Sequence, residues 1–277
     1  MRTLILFFCL AFAAPVLAAG GDVGPAAAAF DEGIFLRAAR LARDLGTAEG
    51  DAFAARAELA QGEFVARPAV RRAALDRAVA DARRSIARDA AHPEAHLYLA
   101  VALGLIARGE GGLAAHLAGY GNEARRHIDR ALELAPDNAW GHAALGGWHL
   151  EIAHTGGFVG GVIYGASAGQ GEAAYERALA LDPENMSIAW QYAFQMAGLG
   201  GEARLARARQ LLAAILERPP HTALDRLLHD GARELDAALE SGGEAEIRRI
   251  VTSRLGRVTG EPAGPRLETR PSIGRTR

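Results

Sequence analysis

One short phrase recurs through the middle of this chain: an Ala/Arg-rich helical run, a proline, and a second helical run. It reads Ala82-Arg83-Arg84-Ser85-Ile86 up to His92-Pro93-Glu94, and Ala124-Arg125-Arg126-His127-Ile128 up to Ala135-Pro136-Asp137-Asn138. It returns as Tyr175-Glu176-Arg177-Ala178-Leu179 up to Asp182-Pro183-Glu184-Asn185. Such recurrence constrains the fold more than any single motif. One helical hairpin cannot bury its apolar face alone, whereas stacked hairpins share a continuous core.

From Pro25 to Ile250 the pattern stays helical, with apolar residues three and four apart, as in Ala124, Ile128, Ala131 and Leu132. Strand-like alternation is uncommon. The expected helices are Pro25–Leu45, Ala48–Phe64, Pro68–Ala90, Pro93–Ala107, Asn122–Leu134, Asn138–His154, Glu172–Leu181, Asn185–Ala197, Glu202–Leu216, Ala223–Leu239 and Ala245–Leu255. Prolines stand at their starts and glycines past their ends.

The segments resemble tetratricopeptide repeats, helix–turn–helix units of about 34 residues. In that family the second helix carries a small residue, a bulky one four later, an alanine three later and a proline five later. Ala124, Ile128, Ala131 and Pro136 match throughout. Gly171, Tyr175, Ala178 and Pro183 match again, and Leu211, Ala214 and Pro219 follow with Arg207 at the small position. Leu103-Gly104 and Leu145-Gly146 supply the leucine–glycine pair of the first helix. The resemblance is clear over Ala82 to Pro219 and weaker over Pro25 to Ala90. It implies an all-α, right-handed superhelical solenoid of four to five divergent units.

The prolines lie 43, 47 and 36 residues apart, so two units are overlong. The surplus falls at 109–121 (GEGGLAAHLAGYG) and 155–171 (TGGFVGGVIYGASAGQG). Insertions of this kind collect on one edge of a solenoid, so the two segments should lie side by side. The second is too apolar for a simple solvated loop. Its Gly157, Gly161, Gly165 and Gly169 follow no strand and lack the ending of a phosphate loop.

The ends differ from the middle. Arg2, the apolar run Leu4 to Ala14 and the small-residue site Val16-Leu17-Ala18 read as an export signal over 1–18. Cys9, the single cysteine, lies inside it. Cleavage would give a periplasmic or secreted product without thiols. We divide the rest into a helical region at 19–90, a repeat domain at 91–255 and an Arg-rich tail at 256–277, expected to be disordered. The formal charge of −2 makes no electrostatic case for nucleic acid or anionic lipid. No segment after the signal is long and apolar enough to span a bilayer.

Candidate chemistry is sparse. Ser167 sits in a GxSxG spacing, yet a nucleophile elbow needs a preceding strand. His142, His149 and His154 share a helix at spacings unlike HExxH. We therefore expect no catalytic residues, no cofactor and no metal. Tetratricopeptide arrays line a concave groove with the first helix of each unit. That resemblance places Tyr98, Trp140, Glu151, Trp190 and Phe194 there, with Tyr164 on the second insertion. The aromatics serve either as anchors for a protein or peptide partner or as filling between units. The alternative is a small-ligand or metal-binding periplasmic protein with a pocket under 155–171, using His116, His149 or Tyr164.

Overall fold

The computed structural model describes residues 22–65, 68–110 and 116–254. The signal read at 1–18 and the tail at 256–277 lie outside them, as does the stretch 111–115 of the first insertion. The described residues form twelve α-helices and one π-helical turn, with no strand among them. The helices are α1 (Gly24–Asp31), α2 (Phe35–Asp44), α3 (Ala48–Ala60), α4 (Pro68–Arg88), α5 (Pro93–Glu110) and α6 (Tyr120–Leu134). Then come α7 (Ala139–Tyr164), α8 (Ala168–Leu181), α9 (Met186–Leu199), α10 (Glu202–Leu216), α11 (Ala223–Ser241) and α12 (Glu244–Arg254).

Each helix packs on the next, and alternate ones also touch: α3 on α5, α5 on α7, α7 on α9 and α9 on α11. The odd helices thus form an inner layer and the even ones an outer layer. This is the expected solenoid of hairpins. The repeated prolines work with polar caps. After Pro136 the Asn138 side chain accepts the Gly141 N–H at 3.0 Å, and after Pro183 Asn185 accepts that of Ile188 at 3.1 Å. Each cap satisfies a helix-end donor that otherwise has no partner. Thr222 and Asp225 form a reciprocal capping box at α11.

Small residues bring the layers together. A Cβ on Gly146 would lie 2.5 Å from Tyr175 Cδ2, and one on Gly171 would lie 2.6 Å from Leu150 Cγ. The bare backbones of α7 and α8 therefore take each other's bulky neighbours. Ala124, Ile128, Ala131, Tyr175 and Ala178 are all buried, as their motif positions require.

Four expectations need correction. The helix expected over Pro25–Leu45 is two, broken at Gly33 (φ 82°). A Cβ there would lie 2.7 Å from Ala223 Cβ, so glycine serves both the turn and the approach of α11. The 155–171 insertion is no loop over its first part: α7 continues to Tyr164, bent at Gly157 (φ 53°, ψ −146°). That backbone region is essentially open to glycine alone. The unit at α10 is also shifted by one residue. Leu211 is buried as its motif position requires, but Ala214 is exposed, whereas Ala208, Leu212 and Ile215 are buried. The chain has two adjacent prolines, and the motif aligns on Pro220 instead of Pro219. Finally, α3 runs on into a π-helical turn, Gln61–Val65.

That turn helps close the solenoid. Phe64 packs on the core of α7 to α12, and Gln191 of α9 donates from Nε2 to Glu63 Oε1 at 3.0 Å. Leu224 and Leu227 of α11 pack on the cluster formed by α1, α2 and α3. The first and last units therefore meet, and the inner face encloses a pocket.

Arginine holds the early hairpins. Asp51, Glu58 and Asp81 are buried. Arg43 reaches Glu58 at 2.5 Å and Asp81 at 2.6 Å, Arg77 reaches Glu58 at 2.8 Å, and Arg88 reaches Asp51 at 2.8 Å. Arg84 joins Asp81 to Asp51. A planar guanidinium fork can serve two carboxylates at once, which an ammonium does less well.

Candidate functional site: a pocket on the inner face

Ala100 and Gly104 of α5 and Ala143, Ala144 and Gly147 of α7 turn short side chains toward the space between the inner helices. The gap left between α5, α7 and α9 is a pocket of about 210 Å³. Val101, Leu105, Ile152 and Ile188 give it apolar walls; Trp140, Trp148, Tyr120 and Tyr175 give it aromatic ones. Glu63, Arg108, Glu151, Gln191 and Gln195 supply its polar groups.

The charges are internally matched. Arg108 Nε lies 3.3 Å from Glu151 Oε2, close enough to pair as ions, although the geometry is not that of a hydrogen bond. Arg71 stands behind them; burial lowers its pKa, Glu63 opposes that shift, and Arg108 adds to it. Tyr175 lies within electrostatic reach of Arg108, Glu63 and Glu151, and burial holds its phenol well above the usual range. Arg108, Glu63 and Glu151 thus share a largely apolar lining, with Arg71 in electrostatic reach of Glu63 and Arg108.

The outer edge is fastened by the two insertions, which come together as expected. His116 Nδ1 and Tyr164 Oη are 2.6 Å apart, and the Tyr164 ring stands edge-on to Trp148 at 6.2 Å. Trp148 Nε1 donates to the Gly121 carbonyl at 2.8 Å. Arg125 lies over the Trp148 ring at 5.0 Å. These contacts fix one aromatic wall of the pocket.

A model of the family described as "Regulator of microtubule dynamics protein 1-3" matches residues 30–240. The chain belongs to that family. It matches no curated protein. Among solved structures, it is similar to a thermophilic tetratricopeptide-repeat protein of Thermus thermophilus, with a TM-score of 0.55 and 19% identity over 76% of this chain and 96% of that one. That likeness supports the fold. Within the family match lie both the inner pocket and all six residues expected to meet a partner.

Those six residues have different surroundings. Trp140 and Glu151 line the pocket, Trp140 at its rim with 42% of its surface exposed. Trp190 and Phe194, at 4% and 5% exposure, lie in the core of α7 to α12, tilted together at 5.5 Å. Of the two roles expected for the aromatics, these two take that of filling between units, not of open anchors. Phe194 borders a small hollow of about 20 Å³ that Glu151 and Gln195 also line. Tyr98 is half-buried among Leu99, Leu103 and Leu105, and burial pushes its phenol up to about 12. Tyr164 belongs to the fastened edge and does not line the pocket.

The residues of the metal or small-ligand alternative are likewise engaged. His116 bonds Tyr164, and the buried His149 accepts the Ser167 N–H at 3.4 Å, near the start of α8. Among the described residues, no group of three or more His, Cys, Asp or Glu converges as a metal site would require. The pocket lies on the inner face, not under 155–171. Sequence reasoning missed Trp148, Tyr175, Arg108 and Gln195. Trp148 and Glu151 lie three apart on α7, so they share a helical face. Arg108 follows Gly104 by four, one turn beyond the leucine–glycine pair.

Proposed function

We propose that this family member is an exported, non-enzymatic scaffold that holds an extended segment of a protein or peptide partner along its inner face. One bulky side chain of that segment occupies the pocket between α5, α7 and α9. The observation that carries this reading is the joining of a preformed apolar pocket to an exposed aromatic rim. The pocket measures about 210 Å³, and Trp140 stands at its edge. Buried aromatic anchors in such pockets supply most of the energy at many interfaces. The short side chains of α5 and α7 leave room for such a side chain between the helices. Export rests on the sequence pattern over 1–18.

The test is affinity capture from the native envelope with tagged protein, beside Trp140→Ala. Truncating a half-exposed rim residue leaves the helices packed, so the variant should melt like the parent. A partner bound by the parent and weakened at least about ten-fold in the variant fits an aromatic rim. A partner held equally by both removes the inner face from the account.

A further inference from the structure

We propose that the pocket recognises a phenol: it seats the tyrosine ring of the partner segment and selects it, through its hydroxyl, over phenylalanine and over charged side chains. The inference rests on the inner face being the partner site.

Size sets the first limit. An apolar cavity of roughly 150 Å³ holds a benzene molecule. At about 210 Å³ this pocket has room for one ring and a small polar substituent.

The polar groups identify the substituent. Gly147 on α7, Tyr175 on α8 and Gln195 on α9 converge on one stretch of wall. A Cβ on Gly147 would lie 3.2 Å from Tyr175 Oη and 3.4 Å from Gln195 Nε2, so the glycine leaves that space to the two polar ends. Gln195 is 9% exposed, and its Oε1 has no hydrogen-bond partner. Arg108 Nε, ion-paired with Glu151 at 3.3 Å, makes no hydrogen bond either. A buried acceptor with no hydrogen bond calls for a donor, and Arg108 Nε has a hydrogen bond still to give. A hydroxyl both donates and accepts, whereas an indole N–H only donates. The Gln195 carboxamide turns about a soft terminal torsion, which lets it meet an incoming hydroxyl.

Charge sets the third limit. Arg71 and Arg108 already face Glu63 and Glu151. A carboxylate or ammonium would bring an unmatched charge into a desolvated place. A phenol, with an ordinary pKa of about 10, enters neutral.

The test follows the indole N–H resonances of the full chain by NMR. Trp140 and Trp148 line the pocket, and Trp190, which does not, serves as the internal control. The probes are p-cresol, toluene and 4-methylbenzoate, then the peptide acetyl-Ala-Ala-Tyr-Ala-Ala-amide and its phenylalanine counterpart. We expect p-cresol to bind roughly ten-fold or more tightly than toluene or 4-methylbenzoate, since a site built for a hydroxyl rejects the analogue lacking it. The tyrosine peptide should bind more tightly than p-cresol. Gln195→Leu should bring p-cresol down to the level of toluene while keeping toluene binding. Equal binding of p-cresol and toluene to the parent overturns the phenol preference and leaves the inner face as an apolar site. Binding of no probe overturns the pocket as a site altogether. Binding of p-cresol without the tyrosine peptide overturns the protein source and assigns the pocket to a free phenol.

Discussion

At Gly146 a single methyl group decides whether two helices can meet. Its Cβ would stand 2.5 Å from Tyr175 Cδ2, and Tyr175 is buried and stacked on Tyr192 at 4.7 Å, so the ring has little freedom to retreat. Gly146→Ala should therefore cost about 1–3 kcal/mol through overpacking, despite better helix propensity. Urea unfolding of the pair of proteins measures it. His92 offers a residue-scale test in pH. Its Nε2 lies 2.9 Å from Glu49 Oε2, which raises the histidine pKa and lowers that of the glutamate. The histidine contribution is full below its ordinary value of 6.5 and fades as pH rises through its raised pKa. The glutamate contribution is full above 4.5 and fades as pH falls through its lowered pKa. The stability difference between the parent and His92→Gln should thus be greatest near about pH 6 and shrink toward about pH 9. His127 titrates with the opposite sign, because burial and then His96 lower its pKa, so the variant difference is the quantity to follow.

At the scale of single elements, α10 shows what a motif conveys and what it leaves out. Alignment on the first of two prolines assigns Ala214 to the interior, but packing puts Leu212 and Ile215 there. Leu212→Ala should cost about 2–5 kcal/mol, and Ala214→Ser should stay within about 0.5 kcal/mol; thermal unfolding of the two separates the phases. The hairpin order, the proline-linked caps and the buried motif positions were legible because each follows from local spacing. The length of α7 was not. Its glycines read as breakers, yet Tyr164 gains Trp148 and His116 as neighbours, contacts that no local pattern displays. The groove was legible only in part for the same reason. Trp140 and Glu151 follow from their helix, whereas Trp190 and Phe194 lie in a core drawn from α7 to α12, which Phe64, over a hundred residues earlier, also packs against. The pairing of Gln191 with Glu63 has the same long-range origin.

Over the whole molecule, closure turns a groove into a pocket. The π-helical turn after α3 meets α9, α11 meets the first three helices, and short residues on α5 and α7 leave an apolar space between them. Buried carboxylates tied by arginine hold the early hairpins in place. The inner layer supplies most of the pocket lining, joined by Ala124, Ile128 and Tyr175 from the outer layer, so a change confined to the open space should act on binding and spare stability. That division can be tested at Gly104, which lines the pocket and whose Cβ would meet nothing within 4 Å. Gly104→Leu adds a side chain to the open space and removes a helix glycine worth about 1 kcal/mol. The decisive measurement is the affinity of this variant for the captured partner, taken with its melting temperature. The account predicts a protein at least as stable as the parent with partner binding weakened about ten-fold or more; equal stability with unchanged affinity would contradict it.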